Sequence, residues 1–256
     1  MTPLEAYRDI AARARHLLLL HDGLTNTRQR RIRRDWKESF CRLMHWRLDT
    51  SLERVDSRDS IIILRQGASL APADFTGESL ADLLRASITF GVSALDRYVH
   101  ERVVKGIVTA LNAPSPTRQQ EELAIPATVA IRITQQIAKA RTAGRQVRPA
   151  NAVRNEIQEL LHKRPFQSWR DLEYAFSLIG ITDFETRMKS AWGVTNISPY
   201  RDKLNRLVQQ RNYIVHEGHL VRHQRAGKVR AHTIKRKYVA DSLDFLDDLV
   251  DHLEKA

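Results

Sequence analysis

From Glu78 to about Asn112 the chain holds one helical pattern, and Ser87, Gly91 and Ser93 fall along it where small side chains let another helix approach closely. The loop Pro114, Ser115, Pro116 ends it. A long helix with a close-packing stripe needs other helices against it, and the rest of the sequence supplies them. Helical patterns cover residues 3–20, 28–48, 118–142 and 150–162. Ser168-Trp169-Arg170-Asp171 reads as an N-cap with an acid at the third helical position, opening a helix that stops at Gly180. Further helices are predicted from Asp183 to Trp192, from about 199 to 217, and from Arg236 to Lys255. The expected fold class is all-α, a helical bundle. Between Gly67 and Gly77 the run Ala71, Pro72, Ala73, Asp74 cannot hold a regular helix. Residues 1–75 are therefore expected to form an N-terminal helical extension, and residues 78–256 the main helical domain. One stretch departs from helical spacing: Leu220 to Ile234 alternates, with Ala226-Gly227 as its turn, and predicts a short basic β-hairpin.

An apolar share of 42% over 256 residues is ample for a core. No run approaches a membrane span, and Leu17 to Leu20 is too short for a secretory signal, so the expectation is a protein of the cytoplasm without a membrane partner. Cys41 is the one cysteine, which excludes an intrachain disulfide and a thiolate-rich zinc site; it is expected to be a small core residue on a helix. The net charge is +12. A balance this basic points to a polyanionic partner, nucleic acid first, because Lys and Arg gain affinity by releasing phosphate counterions. Residues 201–238 hold eleven Lys and Arg against Asp202 and Glu217, an excess of nine out of the total twelve. The candidate phosphate contacts are Arg206, Arg222, Arg225, Lys228, Arg230, Lys235, Arg236 and Lys237. A second basic cluster, Arg28, Arg30, Arg31, Arg33 and Arg34, precedes the face formed by Trp36 and Phe40.

Within the charged region, Leu204, Leu207, Val208, Ile214 and Val215 recur at helical spacing, so Arg211 falls inside the apolar stripe. Asn212 follows it, and His216 comes one turn after Asn212. Residues four apart on a helix lie about 40° from each other and residues five apart about 140°. Asn212 and His216 therefore share a face that Arg211 does not. For Arg211 and His216 to meet one ligand, the Arg side chain must reach round the helix, the helix must end near His216, or a second copy must supply one of them.

Residue types narrow the chemistry. A histidine takes a proton from a ribose 2'-hydroxyl or gives one to a departing 5'-oxygen, and an arginine stabilises the added negative charge of a pentavalent phosphorane-like transition state. Asn212 can orient the histidine or hold a phosphate oxygen. Such a set suits RNA and not DNA, which lacks the nucleophile. No cofactor is expected.

The string Arg211, Asn212, Tyr213, Ile214, Val215, His216 resembles the mark of the HEPN superfamily: an arginine, a polar residue, three more residues, then histidine, on a late helix. The earlier helix, Leu83 to Glu101, is similar to the first core helix of the RiboL-PSP-HEPN-like branch. The resemblance implies a HEPN-type helical bundle and metal-independent endoribonuclease action, with catalytic Arg211, Asn212 and His216. It further implies a homodimer whose two motifs face one cleft, a 2',3'-cyclic phosphate product, and a role as a toxin or antiviral effector with an operon-encoded regulator or antitoxin. Asp96 and Glu101 are candidate partners for Arg211, and Tyr213 a supporting residue. Two other readings stand beside it: a non-catalytic HEPN module that binds RNA or a protein, and a basic helical DNA-binding or scaffold protein. His219, His223 and His232 beside Glu217 match no zinc spacing, and no P-loop, dinucleotide glycine pattern or nucleophile elbow is present.

Overall fold

The computed structural model describes residues 2–25, 28–56, 61–65, 69–75, 77–111, 127–144, 149–220 and 231–255. Nine helices appear among them: α1 (Pro3–Leu24), α2 (Arg34–Leu43), α3 (Gly77–Leu111), α4 (Ala127–Thr142), α5 (Pro149–Leu161), α6 (Trp169–Ser177), α7 (Phe184–Trp192), α8 (Ser198–Glu217) and α9 (Arg236–Lys255). The fold is an all-α bundle with one small antiparallel sheet near its start. No helix among the described residues is long and apolar enough to cross a membrane.

Helix α3 is the axis. It runs 35 residues, about 52 Å at 1.5 Å per residue, and α1, α5, α8 and α9 all pack on it. Ile88, Val92, Leu95, Tyr98, Val99 and Val103 on α3 have no solvent exposure. The small residues do what their spacing predicts. A methyl at Gly91 would lie 2.7 Å from Leu243 and 3.1 Å from Leu246, so the missing Cβ sets how closely α9 approaches. The Ser87 hydroxyl donates to the carbonyl of Ala14 at 2.7 Å and joins α1 to the same helix.

Polar staples then fix α1 against α9. The Tyr7 hydroxyl donates to Asp247 at 2.6 Å, Arg15 bonds both Asp244 and Asp247, and Arg236 at the start of α9 forks onto Asp22. Burial and the adjacent carboxylate push the Tyr7 hydroxyl well above its ordinary pKa, so it stays a proton donor. Tyr98 on α3 does the same for the far end of α9, donating to Glu254 at 2.7 Å.

The expected helix over 28–48 is the clearest correction. Arg28–Arg30 is a strand, β1, paired antiparallel with β2 (Leu52–Asp56), which pairs with β3 (Ile61–Arg65); neither later strand was foreseen. Helix α2 covers only Arg34–Leu43. Cross-strand pairing outweighs the local helical pattern here: Arg28–Arg30 finds ladder partners in Arg54–Asp56, and Arg30 gains a counter-charge across the pair in Asp56, 4.0 Å away, which also holds Arg54 of its own strand at 2.6 and 2.8 Å. Val55 and Leu64 point inward from the sheet, and Cys41 is fully buried on α2 as expected.

At Gly106 a methyl would overlap Ile179, including its branched Cβ at 2.8 Å, which cannot swing away as the tips of Leu243 and Leu246 can at Gly91. Gly106→Ala is accordingly expected to destabilise the protein by about 1–3 kcal/mol despite the better helix propensity of alanine, and Gly91→Ala by less. Urea denaturation midpoints of the two variants check the order.

Candidate active site on the last turns of helix α8

Helix α8 starts where Asn196 accepts the Ser198 N–H at 3.0 Å and Pro199 occupies the first turn, a position where no intrahelical N–H is needed. Leu204, Leu207 and Val208 bury its inner face. Its N-terminal half is tied to α6: the Asn205 side chain accepts the Trp169 N–H at 3.1 Å, beside the predicted capping box, in which Ser168 accepts the Asp171 N–H and the Asp171 carboxylate accepts that of Ser168. It ends at Glu217. Gly218 then takes a left-handed φ of 59°, which lets the His219 N–H return to the Tyr213 carbonyl at 2.9 Å.

Arg211 stands half-buried, as its place in the stripe requires. Its Nε is buried without a hydrogen-bond partner, while Nη1 donates to Asn212 Oδ1 at 3.0 Å on the exposed side. The guanidinium thus has a buried inner edge and an outer nitrogen turned to Asn212, which by helical spacing shares a face with His216. His216 is exposed in the final turn, one residue before the helix stops. The helix thus ends just past His216, and the outer nitrogen of Arg211 is bonded to Asn212, four residues before it.

Behind Arg211 lies Asp96 of α3. Burial is the main influence on its carboxyl and pushes its pKa up; the Phe166 N–H, which it accepts at 2.6 Å, and the charges of His100 and Arg211 oppose that shift. Arg211 therefore feels Asp96, although no ion pair joins them among the described residues. His100 Nδ1 lies 2.8 Å from the backbone carbonyl of Asp96 and 3.6 Å from its carboxylate, and Nε2 lies 3.2 Å from the Leu161 carbonyl. Glu101 is a correction. It is 3% exposed and faces Arg97 at 2.7 Å and Arg154 at 2.8 Å, not Arg211, because its Cβ lies on the α5 side of α3. Asp96, Arg97, His100 and Glu101 line a cleft of about 570 Å³ with Asn155 and His162 of the α5 side.

Two residues that pattern reading did not assign complete the end of α8. His219, 2% exposed, sits just past the helix at φ 56°, with Nδ1 3.2 Å from Arg85 Nε. Arginine only donates, so Nδ1 accepts and the ring proton is on Nε2, which faces the side-chain amide of Gln210. Arg85 also donates to the His232 carbonyl at 3.1 Å and pairs with Asp82 at 2.7 Å. The His232 ring lies 5.3 Å from that of His219, whose own nitrogens are both committed, so His219 belongs to a latch. The one sequence signal that points to Arg85 is its spacing, eleven residues before Asp96 and about 20° away on the same face of α3.

The predicted phosphate contacts divide. Arg206 and Lys235 are exposed, Arg236 is held by Asp22, and Lys237 pairs with Asp241 at 2.9 Å. Arg222, Arg225, Lys228 and Arg230 lie outside the described residues, as does most of the expected hairpin; Leu220 and Ala231, at its two ends, form an antiparallel bridge. The Tyr213 hydroxyl accepts a bond from Gln209 at 2.9 Å. No group of metal-ligating side chains comes together among the described residues.

A family model described as RiboL-PSP-HEPN matches residues 53–256. No curated protein and no solved structure matches the chain.

Two outcomes follow from this geometry. Asp96→Asn keeps the acceptor for Phe166 and removes a desolvated charge, so its urea midpoint should stay near that of the parent, while Asp96→Ala should lose about 1–3 kcal/mol. Burial and the Arg85 charge hold His219 below the usual histidine pKa, so the folded state binds fewer protons there than the unfolded state. Stability is then lost as pH falls through about 6.5, the unfolded value, and thermal melts should show a shallower loss between pH 7 and pH 5.5 in His219→Gln than in the parent.

Proposed function

Because the chain belongs to the RiboL-PSP-HEPN family, whose modules are nucleases or RNA-binding units, we propose that it is a metal-independent endoribonuclease. The observation that carries this reading is the posture of Arg211: a guanidinium with a buried, unpartnered Nε, its outer nitrogen bonded to Asn212 and so aimed at the face of His216. An arginine that serves only as a core ion pair would close onto Asp96 instead.

In the proposed reaction the ribose 2'-oxygen attacks the adjacent phosphorus and its proton passes to a histidine. The P–O5' bond breaks, and the departing 5'-oxygen takes up a proton. The products are a 2',3'-cyclic phosphate and a 5'-hydroxyl. His216 moves the protons, Arg211 stabilises the extra charge on the phosphoryl oxygens, and Asn212 holds the guanidinium in place. One imidazole cannot stand on both sides of the phosphorus, which favours a homodimer in which a second His216 faces the same cleft. A toxin or antiviral effector, restrained by an operon-encoded regulator or antitoxin, is the cellular role that this chemistry fits.

The purified protein should cut RNA in EDTA, and an RNA with a 2'-deoxy sugar at the scissile position should resist. His216→Ala should lower the rate by about 10²–10⁴-fold and Arg211→Ala by about 10²–10³-fold, with growth inhibition on expression relieved in both. Equal cleavage by parent and variants contradicts the assignment, and so does a parent that cuts no RNA.

A further inference from the structure

On the flank of α8 away from Asp96, a groove of about 520 Å³ separates α8 from α9, within the size range of small-molecule sites, about 300–1,000 Å³. Lys203, Arg206, Gln209 and Tyr213 line it from α8, and Tyr238 and Ser242 from α9. Its groups are not a random surface mixture. Tyr238 is 41% exposed beside a buried floor that includes Leu207. Lys203 lays its ammonium over the Phe245 ring at 4.6 Å, which fixes a cation at one end. The acid at the rim, Asp241, is already neutralised by Lys237 at 2.9 Å.

We propose that this groove is a subsite for single-stranded RNA, in which the Tyr238 ring stacks an unpaired base while Arg206 and Lys203 take the flanking phosphates. The proposal rests on the RNA-directed reading above and extends it to residues outside the Arg-Asn-His motif. Burial raises the Tyr238 hydroxyl above its ordinary pKa, and the nearby Arg206 charge opposes the shift, so the ring is uncharged at neutral pH and does not repel a phosphate. A ring on the wall of a groove between two helices stacks on a base whose face is free, as in a single strand, and not on one already stacked and paired in a duplex. The groove also leads to the right place. Tyr213, on its wall, stands three residues before His216, a neighbouring position on the helix surface, and Arg206 is ten residues from His216, about 15 Å along the axis. A strand lying along α8 thus passes from the groove to the histidine within a few nucleotides.

The test is fluorescence anisotropy with a labelled single-stranded RNA oligonucleotide and its duplex form, on the full chain carrying His216→Ala so that no cleavage intervenes. Adding Tyr238→Ala should weaken single-strand binding about five- to a hundredfold and leave duplex binding unchanged, while Tyr238→Phe should stay within about twofold of the parent. Adding Arg206→Gln should reduce the slope of log K against log salt by about 0.7–1. The proposal is overturned if the parent does not bind single strands, if Tyr238→Ala binds as the parent does, or if single strands and duplex lose affinity equally. Arg206 is exposed, so an unchanged salt slope overturns it even where Tyr238→Ala fails to fold. The outcome is separable from the nuclease assignment. A wild-type protein that cuts nothing but loses single-strand binding in Tyr238→Ala sinks the nuclease and keeps the groove, and a wild-type protein that cuts while Tyr238→Ala binds normally does the reverse.

Discussion

Helix α3 presents two polar side chains, three turns apart on one face, to the helix that carries the Arg-Asn-His motif. Arg85 closes on His219 and the His232 carbonyl just beyond the end of α8, and Asp96 lies behind Arg211 while bonded to the Phe166 N–H. Burying charged groups in this way is costly unless hydrogen bonds compensate, and nearly every one of these groups is compensated. Arg211 Nε is the exception. Because α3 is itself locked by α1 and α9 through Ser87, Gly91 and Tyr98, the position and end point of α8 are inherited from the centre of the bundle rather than from a surface loop. The proposed site, which aims an arginine and a histidine at one phosphate, needs that rigidity.

How far the sequence revealed this depended on the range of the controlling interaction. Helix α9 was readable to the residue, and the capping box at Ser168 and Asp171 was found because both its signals lie within four residues. The close approach at Gly91 was legible from a small residue on a long helix, although its partners, Leu243 and Leu246, were not. The three-stranded sheet was hidden because its stabilising contacts, such as the ladder between Arg28–Arg30 and Arg54–Asp56, are made between segments whose local patterns give no register. At the site, the identities of Arg211, Asn212 and His216 came from local pattern and likeness. The roles of Arg85 and His219 came only from tertiary contact, across 134 residues of chain. Glu101 was misassigned for a related reason: helical spacing places a residue on an angular face, but the choice between α5 and α8 as its neighbour belongs to the packing.

The positive charge is not spread as one undifferentiated field. Arg15 and Arg236 are spent on joining α1 to α9, and Arg97 and Arg154 hold Glu101. Arg206 and Lys203 remain on the outer flank of α8, next to Tyr238, and Arg211 stands half-buried on the inner side with its head turned out. Net charge alone points to a polyanion; the division between structural cations and groove-lining cations indicates where along α8 that polyanion would run.

All of this converges on whether two copies of α8 bring their last turns together. The separation of the two His216 side chains across the two-fold axis of a crystal or solution dimer answers that directly. A shared, phosphate-accepting cleft places them within about 10–15 Å, the reach of four or so extended residues at about 3.3 Å each, with both Arg211 heads on the same side. A dimer that sets the two histidines on opposite surfaces, or an active protein that remains monomeric, contradicts it.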